Sequence, residues 1–398
     1  MSTHKALEDI RILDLTRVVA GPYSTMILAD LGAEVIKLEV PEKGDDTRHY
    51  APYRNGSSMY FANINRNKKS ITLNLKSGEG KIIFKELVKK VDIIVENFRP
   101  GVMEKLGLGY DDLKYLNEKI IYAAVSGFGS YGPYSQRPGY DILAQGMGGL
   151  MSLTGFPDMP PVRAGNAMGD VLGGLNLTIG ILSALHARNI TGKGQKVDVA
   201  LVDAVVSSLD SATQRYFENG DIPQRIGNRY APCAPYDVFK AKDTDMIIAC
   251  GNQGLYEKLC KLMEMEELIK DERFSVMEER VKNSALLKGI IEKWLGNYTA
   301  KQAIDLILQA GIPAGPVYNL KEVAEDEHIA RYREMFVEME HPEIGIMKVN
   351  GSVIKLSDTR VEIKNPAPLL GEHNEYVYKK ILQMSDEEIQ DEKINGVI

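Results

Sequence analysis

The chain has 398 residues, of which 44% are hydrophobic and 26% are charged, a composition typical of a soluble globular protein large enough for two domains. Its formal net charge of -7 at pH 7 argues against a nucleic-acid-binding protein, which would carry a concentrated basic face. Three cysteines and six scattered histidines show no metal-ligand spacing, so we predict no metal site and a reducing compartment.

The first third of the chain alternates apolar strands with helices. The predicted strands span residues 11–16, 33–40, 70–75, 92–98 and 120–128. The predicted helices between them span residues 20–32, 77–91 and 110–117. Strands that are apolar on both faces and alternate with helices are typical of a parallel sheet covered by helices, so we predict an α/β fold.

The first strand-to-helix turn, VVAGPYS, lacks the G-x-G-x-x-G pattern of dinucleotide-binding proteins, and G-x-x-x-x-G-K-[ST] is absent from the chain. A glycine-rich stretch at residues 127–132 follows a later strand, and we interpret it as a loop. The sequence therefore argues against a nicotinamide-dependent enzyme and against a P-loop nucleotidase.

The middle of the chain begins with a helix from Asp170 to about Arg188 that is apolar nearly all round, which is typical of a buried helix. A stretch rich in Pro, Gly and Asn, residues 221–239, predicts a crossing into a second unit, and residues 310–320 lead back out. We find no secretory signal and no window of ~18 apolar residues, so we expect a cytoplasmic protein without a membrane span.

Asp170 lies where this helix begins, among glycines at positions 165, 169, 173 and 174. One hypothesis makes Asp170 the N-cap of the helix. The other makes it an anionic nucleophile, kept ionised at pH 7 by the helix dipole and approached closely by an electrophile because the glycines lack side chains. The spacing alone leaves both open.

Basic residues concentrate in the first third of the chain, several of them at strand ends where α/β sheets bind ligands. They are Arg17, Lys37, Arg48, Arg66, Lys68, Lys69, Arg99 and Lys105. The densest run, NRNKKS at residues 65–70, is either a solvated loop or a contact for phosphate groups. In RPGYDILAQGMGGL, Tyr140 and Asp141 either face a pocket or begin a helix.

Six blocks in order along the chain resemble the class III coenzyme A transferases, the CaiB/BaiF family that includes formyl-CoA:oxalate and carnitine CoA-transferases. The blocks are LDLTRVVAGPYSTMILADLGAEVIKLE, NRNKKSITLNLKSGEG, VENFRPGVMEKLGLGYDDL, GDVLGGLNLTIGILSALHARNITGKGQKVDVALVDA, AGIPAGPVYNL and PLLGEH. The resemblance covers nearly the whole chain, and six blocks in the same order are specific.

The resemblance implies that Asp170 is the nucleophile. It also implies that coenzyme A enters as part of an acyl-CoA substrate and is not a permanently bound cofactor. The residues that would form the groove for coenzyme A are Val19, Ala20, Leu73, Asn74, Leu75, Lys76, Asn97, Phe98, Arg99, Lys105 and Tyr140. A carboxylate that attacks a thioester forms a mixed anhydride and then an aspartyl-CoA thioester, from which a second acid takes the CoA. This exchange needs no metal, ATP or redox cofactor.

The resemblance further implies a Rossmann-like large domain built from both chain ends, a smaller α+β domain from the middle, and a homodimer of interlocked rings. On this chain we place the large domain at residues 1–205 and 330–398, the small domain at 225–320, and linkers at 206–224 and 321–329. The stretch Gly227-Asn228-Arg229-Tyr230 corresponds to a mobile glycine-rich loop of the formyl-CoA relatives but is poor in glycine, which leaves that role open.

Three other functions compete with CoA transfer. An α-methylacyl-CoA racemase of the same fold carries a histidine before an aspartate, whereas this chain has Gly139-Tyr140-Asp141 and lacks that base. A CoA hydrolase would need water in the site, and a CoA-ester-binding protein without catalysis would not need Asp170 and its glycines. We therefore favour a CoA-transferase with an acyl-CoA donor and a carboxylic-acid acceptor.

Overall fold

A computed structural model describes residues 4–398, which divide into two compact units. Unit 1 comprises residues 4–150, Arg163–Thr213 and Glu327–Ile398, and unit 2 comprises Met151–Val162 and Gln214–Asp326. The sequence-based division placed residues 151–162 in the large domain. Here this segment belongs to unit 2, where the amide of Gly227 donates to the carbonyl oxygen of Gly155 over 2.9 Å.

In chain order the strands are β1 (Arg11–Asp14), β2 (Glu34–Glu39), β3 (Tyr53–Arg54), β4 (Ser57–Ser58), β5 (Lys68–Thr72), β6 (Ile93–Glu96), β7 (Ile121–Ser126), β8 (Lys196–Ala200), β9 (Tyr236–Lys240), β10 (Asp245–Ala249), β11 (Ala314–Pro316), β12 (Phe336–His341) and β13 (Gly345–Asn350). The five strands predicted in the first third of the chain are present as β1, β2, β5, β6 and β7, whereas β9 and β11 lie in stretches that were predicted as crossings between units.

The α-helices are α1 (Ala20–Asp30), α2 (Met59–Ile64), α3 (Gly78–Val88), α4 (Val102–Lys105), α5 (Tyr110–Leu113), α6 (Asp141–Met147), α7 (Leu150–Leu153), α8 (Met168–Thr191), α9 (Leu201–Ser207), α10 (Ala212–Asn219), α11 (Gln253–Leu262), α12 (Met277–Lys282), α13 (Ser284–Leu295), α14 (Ala300–Gln309), α15 (Leu320–Glu325) and α16 (Asp386–Ile394). Short 3₁₀ helices span Asp46–His49 and Glu266–Ile269, and π-helical turns span Glu327–Tyr332 and Tyr376–Ile381.

The predicted parallel α/β sheet is confirmed in unit 1. Its six strands are ordered β5-β2-β1-β6-β7-β8, and every neighbouring pair is parallel. The strand order reverses between β1 and β6, and open α/β sheets bind ligands at the carboxyl ends of the strands that flank such a reversal. The loops after Asp14 and after Glu96 are therefore where unit 1 is expected to bind a ligand.

Helices cover both faces of this sheet, so each face has its own apolar core. On one face the buried cluster includes Phe84 and Leu87 of α3 together with the C-terminal Val397. On the other face it includes Leu28 of α1 and Leu177 of α8. Two covered faces explain why the central strands are almost entirely apolar.

The PLLGEH block closes the free edge of the sheet at β5. The amide of His373 donates to the carbonyl oxygen of Ser70 over 2.9 Å, and the side-chain oxygen of Asn374 accepts from the amide of Thr72 over 2.9 Å. An exposed strand edge invites pairing with other chains, and a covering segment prevents it. This block of the family resemblance therefore stabilises the sheet.

The NRNKKS run is mainly buried, and neither interpretation offered for it was right for its central residues. Arg66 pairs with Asp30 at 2.7 Å and Lys68 with Asp14 at 3.1 Å, both at buried positions. Among its basic residues only Lys69 is partly exposed, and it pairs with Glu34. The side chains of Arg66, just before β5, and of Lys68, at its start, are buried, so carboxylates rather than solvent or phosphate compensate their charges.

Helix α8 is long and apolar enough to cross a membrane by length and composition, contrary to our expectation that no segment would pass such a test. The core helix of a globular protein passes it too, so this is weak evidence for a span. One side of α8 packs on the sheet and on α1, and buries Leu177, Ile181 and Leu185. The prediction of a fully buried helix was wrong on its other side, where Leu175, Ile179 and Leu182 are exposed.

Unit 2 is an α+β structure with its own core. The antiparallel sheet β11-β10-β9 packs against α11, α13 and α14, and the shared cluster includes Phe239, Tyr256 and Leu295. Arg280 is fully buried in this unit and donates to the carbonyl oxygens of Ala234 and Phe274.

Candidate active site

Asp170 is the third residue of α8 and not its N-cap. The cap position is occupied by Ala167, which offers no side-chain hydrogen bond, so the capping hypothesis is wrong. The Asp170 side chain is only partly exposed, and its carboxylate accepts no hydrogen bond from the described residues 4–398. A carboxylate held without a hydrogen-bond donor is free to react.

Asp141 caps the helix in place of Asp170. Its Oδ1 accepts from the amides of Gly169 over 2.7 Å and of Asp170 over 3.3 Å, although Asp141 itself lies 28 or more residues earlier. Its Oδ2 accepts from the buried amide side chain of Gln145 over 2.8 Å. The sequence analysis left open whether Asp141 faces a pocket or begins a helix. In the structure it begins α6, and it also accepts hydrogen bonds from the free amides in the first turn of α8.

Burial, followed by the negative charge of Asp141, raises the pKa of Asp170 to about 7. Our expectation of a fully ionised Asp170 at pH 7 was therefore wrong. The dipole of α8 favours an anion in its first turn, but Asp141 already occupies the amides that would have stabilised the Asp170 carboxylate. Asp170 is consequently poised between its neutral and anionic forms near pH 7.

The glycines near Asp170 serve helix packing more than ligand access. A Cβ at Gly174 would lie 2.6 Å from the carbonyl oxygen of Ala20, and a Cβ at Gly173 would lie 2.4 Å from the Leu201 side chain. Both distances are shorter than van der Waals contact, so α8 could not approach α1 and α9 with larger residues. Only Gly165 faces open space.

The turn formed by residues 17–20, between β1 and α1, is held in a strained conformation beside Asp170. Val18 has φ 66°, which is rare for a β-branched residue. The Asn97 side chain accepts from the amide of Arg17 over 2.9 Å and donates to its carbonyl oxygen over 2.7 Å. Asp45 accepts from the amide of Val18 over 3.2 Å.

Asp45 is itself fixed by buried partners. Lys37 lies 2.8 Å from its Oδ2, and the Thr47 hydroxyl and amide both donate to its Oδ1. Lys37 also donates to the carbonyl oxygen of Thr16 over 2.7 Å. The basic residue Lys37 is therefore part of the support beneath the turn and not a ligand of phosphate.

Two cavities of unit 1 meet at this turn. The first, which we call the Asp170 cavity, has a volume of about 400 Å³, and its lining residues include Val19, Ala20, Asn97, Phe98, Arg99, Tyr140 and Asp170. The second, the Lys76 cavity, has a volume of about 560 Å³ and is lined partly by Leu73, Asn74, Leu75, Lys76 and Gly396. Arg17, Phe98 and Val102 line both cavities, so the two are direct neighbours, and together we call them the groove.

The structure places ten of the eleven residues predicted for coenzyme A along this groove. The exception is Lys105, which ends α4, is exposed and lines neither cavity. Two residues that the sequence analysis did not single out also line this groove, Val18 at the turn and Gly396 near the C-terminus. Glu96 lies directly before the groove residues Asn97 and Phe98. Burial raises the pKa of Glu96 to about 7, and its Oε2 accepts from the amide of Phe98 over 2.7 Å.

The sequence offered little signal for Val18 and Gly396. A positive φ at a valine follows from the tertiary contacts of Asn97 and Asp45, and Gly396 reaches the groove only because the chain end folds back on β5. Asp141 could have been found from its position directly after Tyr140.

Residues 7–374 match the family described as CoA-transferase family III. The chain belongs to this family. The predicted resemblance to the class III CoA-transferases is thereby confirmed, and so is the prediction that the protein is a CoA-transferase enzyme.

Named relatives of this CoA-transferase are similar over nearly their whole length. The chain is 42% identical to an acetyl-CoA:oxalate CoA-transferase of Acetobacter aceti over 375 residues, which cover 94% of this chain and 95% of that protein. It is 39% identical to the succinyl-CoA:glutarate CoA-transferase of Mus musculus over 395 residues, covering 99% and 90% of the two chains.

A solved structure supports the same fold for this CoA-transferase. The CaiB/BaiF family protein from Brucella suis is 37% identical and superimposes with a TM-score of 0.82, covering 95% of this chain and 100% of that chain. The mixed α/β architecture with a parallel sheet is therefore that of CaiB/BaiF proteins.

Proposed function

We propose that this enzyme moves coenzyme A between two carboxylic acids through a covalent intermediate on Asp170. One observation carries the proposal: the Asp170 carboxylate, which accepts no hydrogen bond from the described residues and has a pKa of about 7, lines the groove. This groove lies where the strand order of the sheet reverses. The names of the relatives in the family support the reaction class.

The reaction begins when the Asp170 carboxylate attacks the carbonyl carbon of the acyl-CoA thioester. The C–S bond breaks, CoA leaves as the thiolate, and a mixed anhydride forms between Asp170 and the acyl group. The thiolate then attacks the aspartyl carbonyl carbon and displaces the first acid as its carboxylate. Asp170 now carries coenzyme A as an aspartyl thioester.

The second acid completes the exchange by the same two steps in reverse. Its carboxylate attacks the aspartyl thioester and releases the thiolate, which then attacks the acyl carbon derived from the second acid and restores the Asp170 carboxylate. No proton is consumed overall, so the chemistry needs no general base. Each intermediate reacts with water, so the groove must exclude water while it is occupied.

A dicarboxylic acid is the substrate class that we favour for at least one of the two acids. Relatives named in the comparisons transfer CoA to oxalate, glutarate and mesaconate, and the two most similar ones cited above both act on a dicarboxylate. A racemase remains less consistent with the site, because Tyr140, not a histidine, stands before Asp141 on the cavity wall.

We further propose that the enzyme is a homodimer in a reducing, cytoplasmic compartment. The exposed stripe of Leu175, Ile179 and Leu182 on α8 supports a second copy as its partner, since contiguous apolar surface of this kind marks an interface. Its cysteines Cys233, Cys250 and Cys260 are free and buried, which supports a reducing environment.

The substitution Asp170→Asn tests the catalytic proposal. Asn is nearly isosteric and Asp170 makes no side-chain hydrogen bond in the described structure, so the variant should fold and bind acyl-CoA while transfer falls by at least 10³-fold. Incubation of the wild type with acyl-CoA and hydroxylamine should label the peptide that contains residue 170, detected by mass spectrometry.

Asp141→Asn is the matched control, because its amide oxygen still caps α8 while Asp170 keeps its carboxylate. That variant should retain substantial transfer and the labelled peptide. Near-wild-type turnover by Asp170→Asn, after deamidation has been excluded, would refute Asp170 as the nucleophile.

A further inference from the structure

The loop between β5 and α3, residues 73–77, follows the carboxyl end of a strand, and its first four residues line the Lys76 cavity. The amide of Leu73 donates to the carbonyl oxygen of Glu39 over 2.8 Å, which continues the pairing of β5 with β2. Asn74 is the first residue beyond the sheet, so other contacts have to fix this wall of the cavity.

Asn74 organises the loop and joins it to a distant part of the chain. Its Oδ1 accepts from the amide of Lys76 over 3.1 Å, and its carbonyl oxygen accepts from the amide of Ser77 over 3.2 Å. Its own amide donates to the carbonyl oxygen of Val397 over 2.7 Å. The position of this wall therefore depends on where Val397 lies.

A glycine turn at the end of α16 places Val397. Gly396 has φ 66°, a left-handed conformation that glycine adopts without strain. The amide of Gly396 donates to the carbonyl oxygen of Lys393 over 3.1 Å, and the amide of Val397 donates to that of Glu392 over 2.9 Å. These two hydrogen bonds are those of a Schellman motif, which ends a helix and reverses the chain.

The reversal buries the two residues that follow the glycine. Val397 is 3% exposed and Ile398 is 9% exposed, and both belong to the apolar cluster that contains Leu73 and, from α3, Phe84. The residues on both sides of the loop therefore pack with the same segment whose carbonyl oxygen holds Asn74. The turn, the core and the loop are connected.

The loop presents a positive charge to the groove. Lys76 is exposed, and its ammonium makes no hydrogen bond or ion pair with any of residues 4–398. Coenzyme A carries phosphate groups, and the attraction between an ammonium and a phosphate falls with the distance between them. A displaced loop would therefore weaken binding of the coenzyme while Asp170 stays in place.

We propose that residues 396–398 are positioning residues for acyl-CoA. They hold residues 73–77 through the hydrogen bond between Val397 and Asn74, and so fix Lys76 and the neighbouring wall of the groove. This inference rests on the proposed function, which places coenzyme A in the groove, and it adds a segment from the other end of the chain to the binding of the coenzyme.

Hydrogen exchange of the wild type, followed by mass spectrometry with and without saturating coenzyme A, tests this coupling. If the turn helps to bind the coenzyme, the coenzyme must stabilise the turn by the same free energy. Exchange in a peptide spanning residues 392–398 should slow by at least threefold. The end of α8 closes with Gly192 in the same left-handed conformation but lines neither cavity, so exchange in residues 186–192 should not change.

Deletion of Val397 and Ile398 removes the acceptor of the Asn74 amide. We expect KM for acyl-CoA to rise by at least fivefold and kcat to stay within twofold, because the deletion leaves Asp170 untouched. Ile389→Ala is the matched control, since Ile389 is buried in the same cluster from α16 but makes no hydrogen bond to the loop. Its KM should stay within twofold of wild type, and thermal unfolding establishes that each variant is folded.

Isothermal titration calorimetry with coenzyme A distinguishes a failure of this inference from a failure of the proposed function. If the wild type binds no coenzyme A, both are overturned. If the wild type binds it and the folded deletion variant binds it equally well, or if exchange in residues 392–398 does not respond to coenzyme A, the inference alone is overturned. If the deletion variant does not fold, the exchange measurement on the wild type decides.

Discussion

Asp141 caps helix α8, so the neighbouring Asp170 carboxylate does not have to accept hydrogen bonds from the helix amides. Asp141 takes the amides of Gly169 and Asp170, and it is held in turn by Gln145. Its charge also opposes ionisation of Asp170 and, with burial, raises the pKa of Asp170 to about 7. A carboxylate with a raised pKa is more basic and hence a stronger nucleophile once it is ionised.

The pH dependence of transfer follows from this pair. Because the attacking species is the carboxylate, kcat/KM for the acyl-CoA donor should rise with pH through about 7. Asp141→Asn removes one cause of the raised pKa while it keeps an acceptor for the α8 amides, so the rise should move to lower pH. Initial rates between pH 5 and pH 9 measure both profiles.

Glu96 supplies the control for this profile, because its pKa is also raised to about 7 and it accepts a hydrogen bond from the amide of Phe98, which lines the groove. Glu96→Gln keeps an acceptor for the Phe98 amide and should leave the midpoint in place. An unchanged midpoint in Asp141→Asn, or a midpoint that moves only with Glu96→Gln, would show that the titrating group is not Asp170.

Asp170 should also destabilise the fold when it is ionised. Its folded pKa lies above the ordinary aspartate value of 3.8, so the folded state loses stability as pH rises from about 4 to about 7 and keeps that loss above 7. Asp170→Asn should therefore be more stable than wild type by roughly 1–3 kcal/mol at pH 8 and nearly equal at pH 4. Urea unfolding at the two pH values checks this; a variant less stable at pH 8 would contradict it.

At the scale of elements, β5 is anchored by side chains that looked like ligands of phosphate. Lys68 donates to Asp14, to the carbonyl oxygen of Pro22 and to Asn65, and all these contacts are buried. Burial lowers the pKa of Lys68 to about 8, whereas Lys68 and Lys37 hold the pKa of Asp14 down at about 2 against its own burial. These contacts join β5 to β1 and to the start of α1.

Lys68→Met should lower the free energy of unfolding by about 3–5 kcal/mol, because it leaves the Asp14 charge buried without its ion-pair partner. The adjacent Lys69 is the matched control. It is about one third exposed and pairs with Glu34, so Lys69→Met should lower the free energy of unfolding by about 0–1 kcal/mol. Chemical unfolding measures both. A stable Lys68→Met variant with a raised KM for acyl-CoA would restore the phosphate hypothesis.

At the scale of the molecule, the exposed stripe on α8 is the feature that a single chain leaves unexplained. Leu175, Ile179 and Leu182 lie three or four residues apart, so they share one face of the helix. The opposite face packs on the sheet and on α1, which means that α8 has apolar surface on two sides. A second copy of the chain would cover the exposed side.

We expect the proposed homodimer to persist on dilution. If the two subunits are interlocked rings, sedimentation velocity at nanomolar concentration should show only the dimer, and monomer should appear only in denaturant. Ile179→Asp places a charge in the stripe and should lower the unfolding midpoint or abolish assembly. Glu375 is an exposed position that already carries a charge, and it serves as the reference for a charge on surface outside the stripe. A stable folded monomer at nanomolar concentration would contradict the proposal.

The sequence by itself determined the architecture of unit 1 and the position of its central carboxylate. Strands that are apolar on both faces, such as Ile93–Glu96 and Ile121–Ser126, indicate a sheet that is covered on both faces. The sequence shows this directly, because burial of apolar side chains is energetically favourable. Asp170 was visible for the same reason: a charge at the start of an apolar helix conflicts with its surroundings. Six sequence blocks in the same order then indicated membership of the CoA-transferase family.

The tertiary structure alone decided what the charged residues do. Whether Lys68 meets solvent, phosphate or Asp14, and whether Asp170 caps its helix or leaves that task to Asp141, depends on neighbours 28 or more residues away in the chain. Coulomb interaction and desolvation depend on distance and burial, neither of which residue type or local spacing encodes. The pKa of Asp170 and the strained φ of Val18 both arise from contacts that exist only after the chain has folded.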